Sequence, residues 1–225
     1  MLSALIRKEL FQCSGFCLVA LLTCAALPSW LYDPNRPEFP PFTGGFSLYF
    51  VGLYSEQLDA LVANFSLVGG VLAVVIGLIQ SAWESITGTW HFLLYRPASR
   101  QKILAIKLVT GTCLLLICTA IPGLAYGIWA STPGTHNSPF GWDMTLGFWQ
   151  QWLTIPILYL AAFQSGLLDA RWYGTRLLPV AAAGALCVLL AIVPHWWFIG
   201  LPITCVTVTV QTLTLFHSMQ VRDFA

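Results

Sequence analysis

Six long apolar runs occupy most of this chain and restrict it to folds that a lipid bilayer can solvate. Each run is close to the 20 or so residues that an α-helix needs to cross the hydrocarbon core. The runs are residues 13–32, 59–83, 103–131, 146–168, 177–194 and 196–217. Only 8% of the residues are charged, whereas a soluble domain carries about 25%. The sequence therefore predicts one integral membrane domain over residues 1–225.

The fold class follows from the solvent. Lipid offers no hydrogen bonds to the backbone, so spans are α-helices or closed barrels. The last run contains TCVTVTVQTLTLF, which alternates like a β-strand. An open strand edge in lipid would leave backbone groups unpaired at several kcal/mol each. We therefore expect an all-α protein with six transmembrane helices.

Basic residues set the expected orientation. Nine of the ten Lys and Arg residues fall at the ends that six spans would place on one side, and only Arg36 falls on the other. The positive-inside rule then puts both termini in the cytoplasm. Residues 1–12 are amphipathic and predict a helix in the membrane interface, with Arg7, Lys8 and Glu9 on its polar side. The last two spans should form a tight hairpin at Pro194–His195.

Several classes of function are disfavoured. The seven cysteines lie in or beside apolar runs without a C-x-x-C pair, which disfavours a zinc site or a disulfide framework. There is no basic block to bind nucleic acid. No G-x-x-x-x-G-K occurs, so this chain is not expected to bind ATP in a P-loop. No acid or base is expected deep within a span, which argues against proton or sodium coupling.

The stretch from Glu84 to Lys107 is unusual because charge surrounds an apolar segment between the second and third spans. Its sequence is ESITGTWHFLLYRPASRQKILAIK. Pro97 disfavours helix at the residue before it, and Ser99 could cap a helix that begins at Arg100. The order E-x3-G-T-x3-L-L-x-R-P-x-S-R-x2-I-L-x2-K resembles the permease subunits of ABC-2-type ABC transporters. The N-terminal IRKEL resembles their interfacial helix.

This resemblance implies a function and partners. Such a permease pairs with a second copy, as a homodimer or heterodimer, and each copy docks a cytosolic ATPase that binds ATP and Mg²⁺. This chain would then hold no cofactor or metal and would not itself be an enzyme. A cytoplasmic coupling helix between spans two and three would contact the ATPase. The residues it implies there are Glu84, Gly88, Thr89, Trp90, Phe92, Leu93, Arg96, Pro97, Arg100 and Lys107.

Two further sets of residues have competing interpretations. Thr204, Thr207, Gln211 and Thr214 share one face of the last span, where they could line a translocation path or form interhelical hydrogen bonds. Small residues let helices approach closely. Ala181 and Ala185 fit the dimer seam that the resemblance implies, and Gly123 with Gly127 forms a second small-residue pair. Both pairs could equally pack within one chain.

Two other functions remain open. An ATP-independent transporter or membrane scaffold would share the same composition. A rhomboid-like intramembrane protease would need Ser165 and His217 within hydrogen-bond reach, but the serine lies in FQSG and lacks the first glycine of G-x-S-G. Of these functions, the motif from Glu84 to Lys107 favours the permease. Its expected location is a bacterial inner membrane.

Overall fold

The computed structural model is helical throughout the residues it describes, which are 2–31, 56–83, 86, 99–132, 140–168 and 175–221. Helix α1 spans Leu2–Leu31 and α2 spans Glu56–Leu78, continuing as a π-helix over Ile79–Trp83. Helix α3 spans Arg100–Ser131, and a 3₁₀ turn at Trp142–Thr145 leads into α4 at Leu146–Leu167. A second 3₁₀ turn at Thr175–Leu177 precedes α5 at Leu178–Ile192, and α6 spans Gly200–Val221.

Within these residues, four helices are long and apolar enough to cross a membrane. They are Phe65–Trp83, Arg100–Ser131, Thr175–Ile192 and Gly200–Gln220. The all-α class is therefore confirmed, as is the helix predicted for the β-like pattern in the last run. Helix α4 matches the predicted run 146–168 and α1 includes most of the run 13–32, but that these two helices also cross the membrane stays a prediction. The chain has the character of an integral membrane protein.

The N-terminal helix differs from the sequence prediction. No boundary separates an interfacial helix of residues 1–12 from a first span that begins at residue 13, because α1 runs without a break from Leu2 to Leu31. No proline interrupts the sequence there, and the single Gly15 is not enough to end a helix. A buried face of Leu5, Glu9, Cys13 and Cys17 repeats every four residues and continues through the expected boundary.

Among the described residues, the most extensive contact between two helices lies between α2 and α4. Along α2, small residues recur every fourth position, at Gly69, Ala73, Gly77 and Ser81. A Cβ atom on Gly77 would lie 2.7 Å from the carbonyl oxygen of Tyr159 and 2.8 Å from the Cβ of Ala162. Because the side chains of this row are small or absent, the backbones of α2 and α4 can approach closely. Such close approach is usual where helices associate in membranes. This seam places α4 at the centre of the bundle, with Tyr159, Ala161, Ala162 and Phe163 fully buried.

The Gly123–Gly127 pair also packs within the chain. A side chain on Gly123 would collide with the ring of Phe148, and one on Gly127 would collide with the ring of Trp142. Of the two interpretations of this pair, the structure therefore shows the intrachain one. The glycines let α3 lie against the aromatic start of α4.

Helices α5 and α6 are the least covered part of the bundle. Both pack on α4, where Ala183 and Leu190 of α5 contact Ile157 and Ala161. A turn over residues 193–199 joins the helices, but both pack mainly on α4 rather than on each other, so the tight hairpin stays a prediction. His195 takes a left-handed conformation there, with φ of 51°. Most of the outward side chains of both helices are apolar and exposed, as expected for surfaces that face lipid.

The α2–α4 seam predicts a sharp difference between glycines. We expect Gly77→Ala to destabilise the protein by about 1–3 kcal/mol, because the new methyl group must displace backbone rather than a flexible side chain. Gly15→Ala is the matched control, since nothing lies within 4 Å of a Cβ there. Thermal unfolding in detergent micelles measures both. Equal melting temperatures for Gly77→Ala and the native protein would show that the helices separate easily at this point.

Candidate functional site: a buried polar network

An acid and a base meet inside the bundle. The Lys107 ammonium of α3 lies 2.7 Å from the Oε1 atom of Glu9 in α1, measured from Nζ. Both side chains are 0% exposed. A charge in such surroundings costs several kcal/mol in lost hydration unless an opposite charge and further hydrogen bonds compensate it. The pair therefore fixes how α1 lies against α3.

Two uncharged side chains complete the network. The Nε2 of Gln80 donates to the second carboxylate oxygen of Glu9 at 3.1 Å. The Tyr159 hydroxyl donates to Oε1 of Gln80 at 2.6 Å. Gly111 makes room for this contact, since a side chain there would collide with the Tyr159 hydroxyl. Four helical segments thus contribute one polar group each to a continuous chain of hydrogen bonds.

Local structure explains how Gln80 reaches this site. It lies in the π-helix Ile79–Trp83, where Gln80, Ser81 and Ala82 are all buried. A π-helical turn widens the helix and changes the direction of its side chains, and such turns are frequent at functional sites. The Ser81 hydroxyl bonds the Gly77 carbonyl at 2.6 Å, which satisfies a backbone acceptor just before the π-helix.

Two residues of the network lie at opposite ends of the stretch that resembles a coupling helix: Gln80 just before it, and Lys107 as its last residue. Gln80 comes shortly before Glu84, and Lys107 lies seven residues after Arg100, or about 10 Å along a helix that rises 1.5 Å per residue. The carboxylate of Glu9 binds both flanks at once. A single residue of the N-terminal helix therefore holds the chain where it enters and leaves that stretch.

Most residues of the predicted coupling surface lie outside the described residues. They are Glu84, Gly88, Thr89, Trp90, Phe92, Leu93, Arg96 and Pro97. Arg100 is exposed and opens α3 as predicted, with Ser99 before it, although the Ser99 side chain makes no capping hydrogen bond. Arg7 and Lys8 are exposed as well.

Lys107 corrects the sequence interpretation. It was grouped with an exposed surface that contacts an ATPase, but its side chain has no exposed area and bonds Glu9 instead. Glu9 likewise does not share the exposed polar side of Arg7 and Lys8. The ion pair places an acid and a base inside the bundle. Glu9 precedes the predicted first span and Lys107 is the fifth residue of the third, so the expectation that none lies deep within a span stays a prediction.

The polar row of the last span is mostly satisfied within its own helix. The hydroxyls of Thr204, Thr207 and Thr214 donate to carbonyls four residues earlier, at 2.9, 2.8 and 2.8 Å. Among the described residues, these hydroxyls make none of the interhelical hydrogen bonds that one interpretation required. Gln211 differs, because its Oε1 is buried and has no hydrogen-bond partner among the described residues. A role for this row in a translocation path stays a prediction.

Two other sets of predicted residues have defined positions. Ala181 and Ala185 are both exposed on α5, so the dimer seam implied there stays a prediction. The Ser165 hydroxyl is buried and has no hydrogen-bond partner within the described part of the chain, while His217 is exposed on α6. The hydrogen bond that a Ser–His protease mechanism needs is therefore not formed between them.

Comparison with known proteins gave no relative: no family model, no curated protein and no solved structure matches this chain.

Sequence reasoning missed the network as a unit. The pattern predicts Glu9 on the polar side of an interfacial helix and Lys107 in the coupling stretch, and it connects neither of them with Gln80 or Tyr159. One signal was present, since Glu9 falls on the four-residue repeat of Leu5, Cys13 and Cys17. An acid on the apolar face of a helix requires a partner, but the partner lies 98 positions away in the sequence.

The ion pair gives a prediction for stability. Lys107→Met leaves the Glu9 carboxylate buried beside one amide donor, so we expect a loss of about 3–5 kcal/mol. The double variant Glu9→Met with Lys107→Met removes both charges and should recover much of that loss. Lys102→Met, at an exposed position of the same helix, serves as the control and should change stability by less than about 1 kcal/mol. Reversible unfolding in mixed micelles measures these three variants and the single variant Glu9→Met. A double variant as unstable as the sum of its single variants would mean that the two groups do not interact.

Proposed function

We propose that this chain is the transmembrane permease subunit of an ABC-2-type ABC transporter. Two permease copies would pair, and each would bind a cytosolic ATPase through residues 84–107. Six helices would cross a bacterial inner membrane, with both termini in the cytoplasm. ATP and Mg²⁺ would bind the ATPase alone. The substrate would cross by alternating access, driven by ATP binding and hydrolysis.

One observation carries this proposal beyond the sequence resemblance. The Glu9 carboxylate joins α1 to Gln80 on one flank of the coupling stretch and to Lys107 on the other. A segment that transmits movement from an ATPase needs firm attachment to the helices it moves. Hydrogen bonds to charged groups are roughly twice as strong as neutral ones. The network therefore supports a coupling role for the stretch that it encloses.

The same geometry supports a mechanism. Movement of the coupling stretch would pull on the π-helical end of α2 and on the first turns of α3. Because Tyr159 bonds Gln80, the displacement would reach α4, which is the helix that contacts α2, α3, α5 and α6. The tight α2–α4 seam would carry it along the bundle as a rigid movement. Two packed arrangements of these helices would then correspond to the two orientations of the transport path.

A second function is favoured by the ion pair itself. Intramembrane acids and bases commonly belong to proton or ion relays, and Glu9 with Lys107 provides both. An ATP-independent, ion-coupled transporter is therefore the second candidate. The two candidates differ in whether the stretch 84–107 has an ATPase to bind.

The test of the proposal is whether this chain binds a candidate ABC ATPase and stimulates its turnover. Truncating an aromatic anchor at an interface commonly costs about 2 kcal/mol, or roughly thirtyfold in affinity. We expect Trp90→Ala and Phe92→Ala each to weaken co-purification of the ATPase by about that factor and to reduce its stimulated turnover. Trp197→Ala is the matched control, because Trp197 is an exposed aromatic residue of the 193–199 turn.

The outcome that contradicts the proposal is equally defined. If both variants insert normally and bind and stimulate the ATPase like the native chain, residues 84–107 only anchor the topology. Failure of the native chain to bind any candidate ATPase, together with transport that requires a proton gradient, would favour the ion-coupled alternative.

A further inference from the structure

One group in the last helix lacks the hydrogen bond that its position requires. Helix α6 has 22 residues and is therefore about 33 Å long, close to the thickness of the hydrocarbon core. Gln211 lies halfway along it. If α6 spans a bilayer and faces lipid there, no water reaches that depth, and an unsatisfied amide costs several kcal/mol. Its Oε1 has no hydrogen-bond partner among the described residues.

The neighbouring polar groups do not share this deficit. The hydroxyls of Thr207 and Thr214, one turn to either side, are bonded to carbonyls of α6 itself. Ser218 is bonded in the same way, to the Thr214 carbonyl at 2.8 Å. The polar row of α6 therefore contains a single unmet acceptor, at Gln211. The Gln211 side chain as a whole is partly exposed although its Oε1 is buried, so rotation of the amide would bring it within reach of a group outside the chain.

We propose that Gln211 is the centre of a contact between two copies of this chain, in which the two side-chain amides hydrogen-bond each other. A primary amide carries a donor and an acceptor, so the partial charges of two facing carboxamides are complementary. A two-fold axis that passes beside Gln211 brings this residue against its own copy and satisfies both amides at once. Polar side chains of this kind associate helices in membranes.

The surroundings of Gln211 suit such a contact. Of the four helices that are long and apolar enough to cross a membrane, α5 and α6 are the least buried within the described residues. The residues flanking Gln211 on its row are threonines with satisfied hydroxyls, which present small, methyl-bearing surfaces and let two helices approach. The amide would turn so that Oε1 and Nε2 both face the second copy. This assigns Gln211 to a contact between copies rather than to the lining of a translocation path.

The inference does not depend on an ATPase, so its test uses this chain alone. Full-length protein carrying one fluorophore is reconstituted at low density in phosphatidylethanolamine–phosphatidylglycerol vesicles, and single-molecule photobleaching counts the copies in each complex. Membrane hydrogen bonds average about 0.6 kcal/mol each, so losing two bonds should weaken dimerisation about tenfold in Gln211→Leu. Gln211→Asn keeps the carboxamide and should retain most of the dimer.

Thr214→Val is the matched control, since it removes a hydroxyl from the same row that is already bonded within α6. It should dimerise like the native chain. Unfolding of Gln211→Leu in micelles checks that the fold is intact, and we expect the monomer to be no less stable because an unpaired buried acceptor is removed.

A second measurement locates the contact. In a background where the exposed Cys113 and Cys205 are alanine, Thr207→Cys should cross-link between copies with a short bis-maleimide. Thr209→Cys, on the opposite and exposed side of α6, should not. Native-like dimerisation of Gln211→Leu would overturn the proposal. So would labelling of Thr207→Cys in vesicles by a charged, water-soluble thiol reagent without cross-linking, because it would place the row in a water-filled path.

Discussion

A carboxylate and an ammonium cannot stay charged and separate inside an apolar bundle, and much of this structure follows from how Glu9 and Lys107 meet that constraint. Their contact requires α1 to lie against α3 at one height. The second carboxylate oxygen requires a donor, which the π-helical turn of α2 supplies through Gln80. The remaining acceptor of Gln80 is satisfied by Tyr159 of α4. Pairing two charges thus sets the relative positions of four helices.

Packing of small residues makes that arrangement possible. Tyr159 reaches Gln80 only because Gly111 has no side chain in the space between them and because Gly77 lets α2 approach the backbone of α4. Apolar burial alone would tolerate sliding of these helices, since lipid is as apolar as their side chains. The polar network and the glycine contacts together define one register. Helices held in one register can move only together. A coupling mechanism requires this property.

The sequence predicted the helices well because the bilayer permits few alternatives. Run length and the lack of backbone partners in lipid were enough to predict a helix even for the strand-like pattern in α6. The two charges were harder, because local pattern does not show which distant residue a buried acid will meet. The threonines of α6 raised a related problem: spacing shows that they share a face, but not that each hydroxyl bonds its own helix. Likewise, the spacing of Gly123 and Gly127 could not distinguish packing against Phe148 and Trp142 from packing against a second copy.

The central claim is that Glu9 holds both flanks of the stretch between α2 and α3. Hydrogen–deuterium exchange of the full chain in lipid nanodiscs tests it directly, by comparing the native protein with Glu9→Gln and with the control Arg7→Gln, an exposed position on the same helix. The account predicts that Glu9→Gln speeds exchange at residues 79–83 and in the first two turns of α3 together, while α5 and α6 stay unchanged. Arg7→Gln should alter neither flank. Unchanged protection at both flanks in Glu9→Gln, or a change at only one of them, would contradict the account.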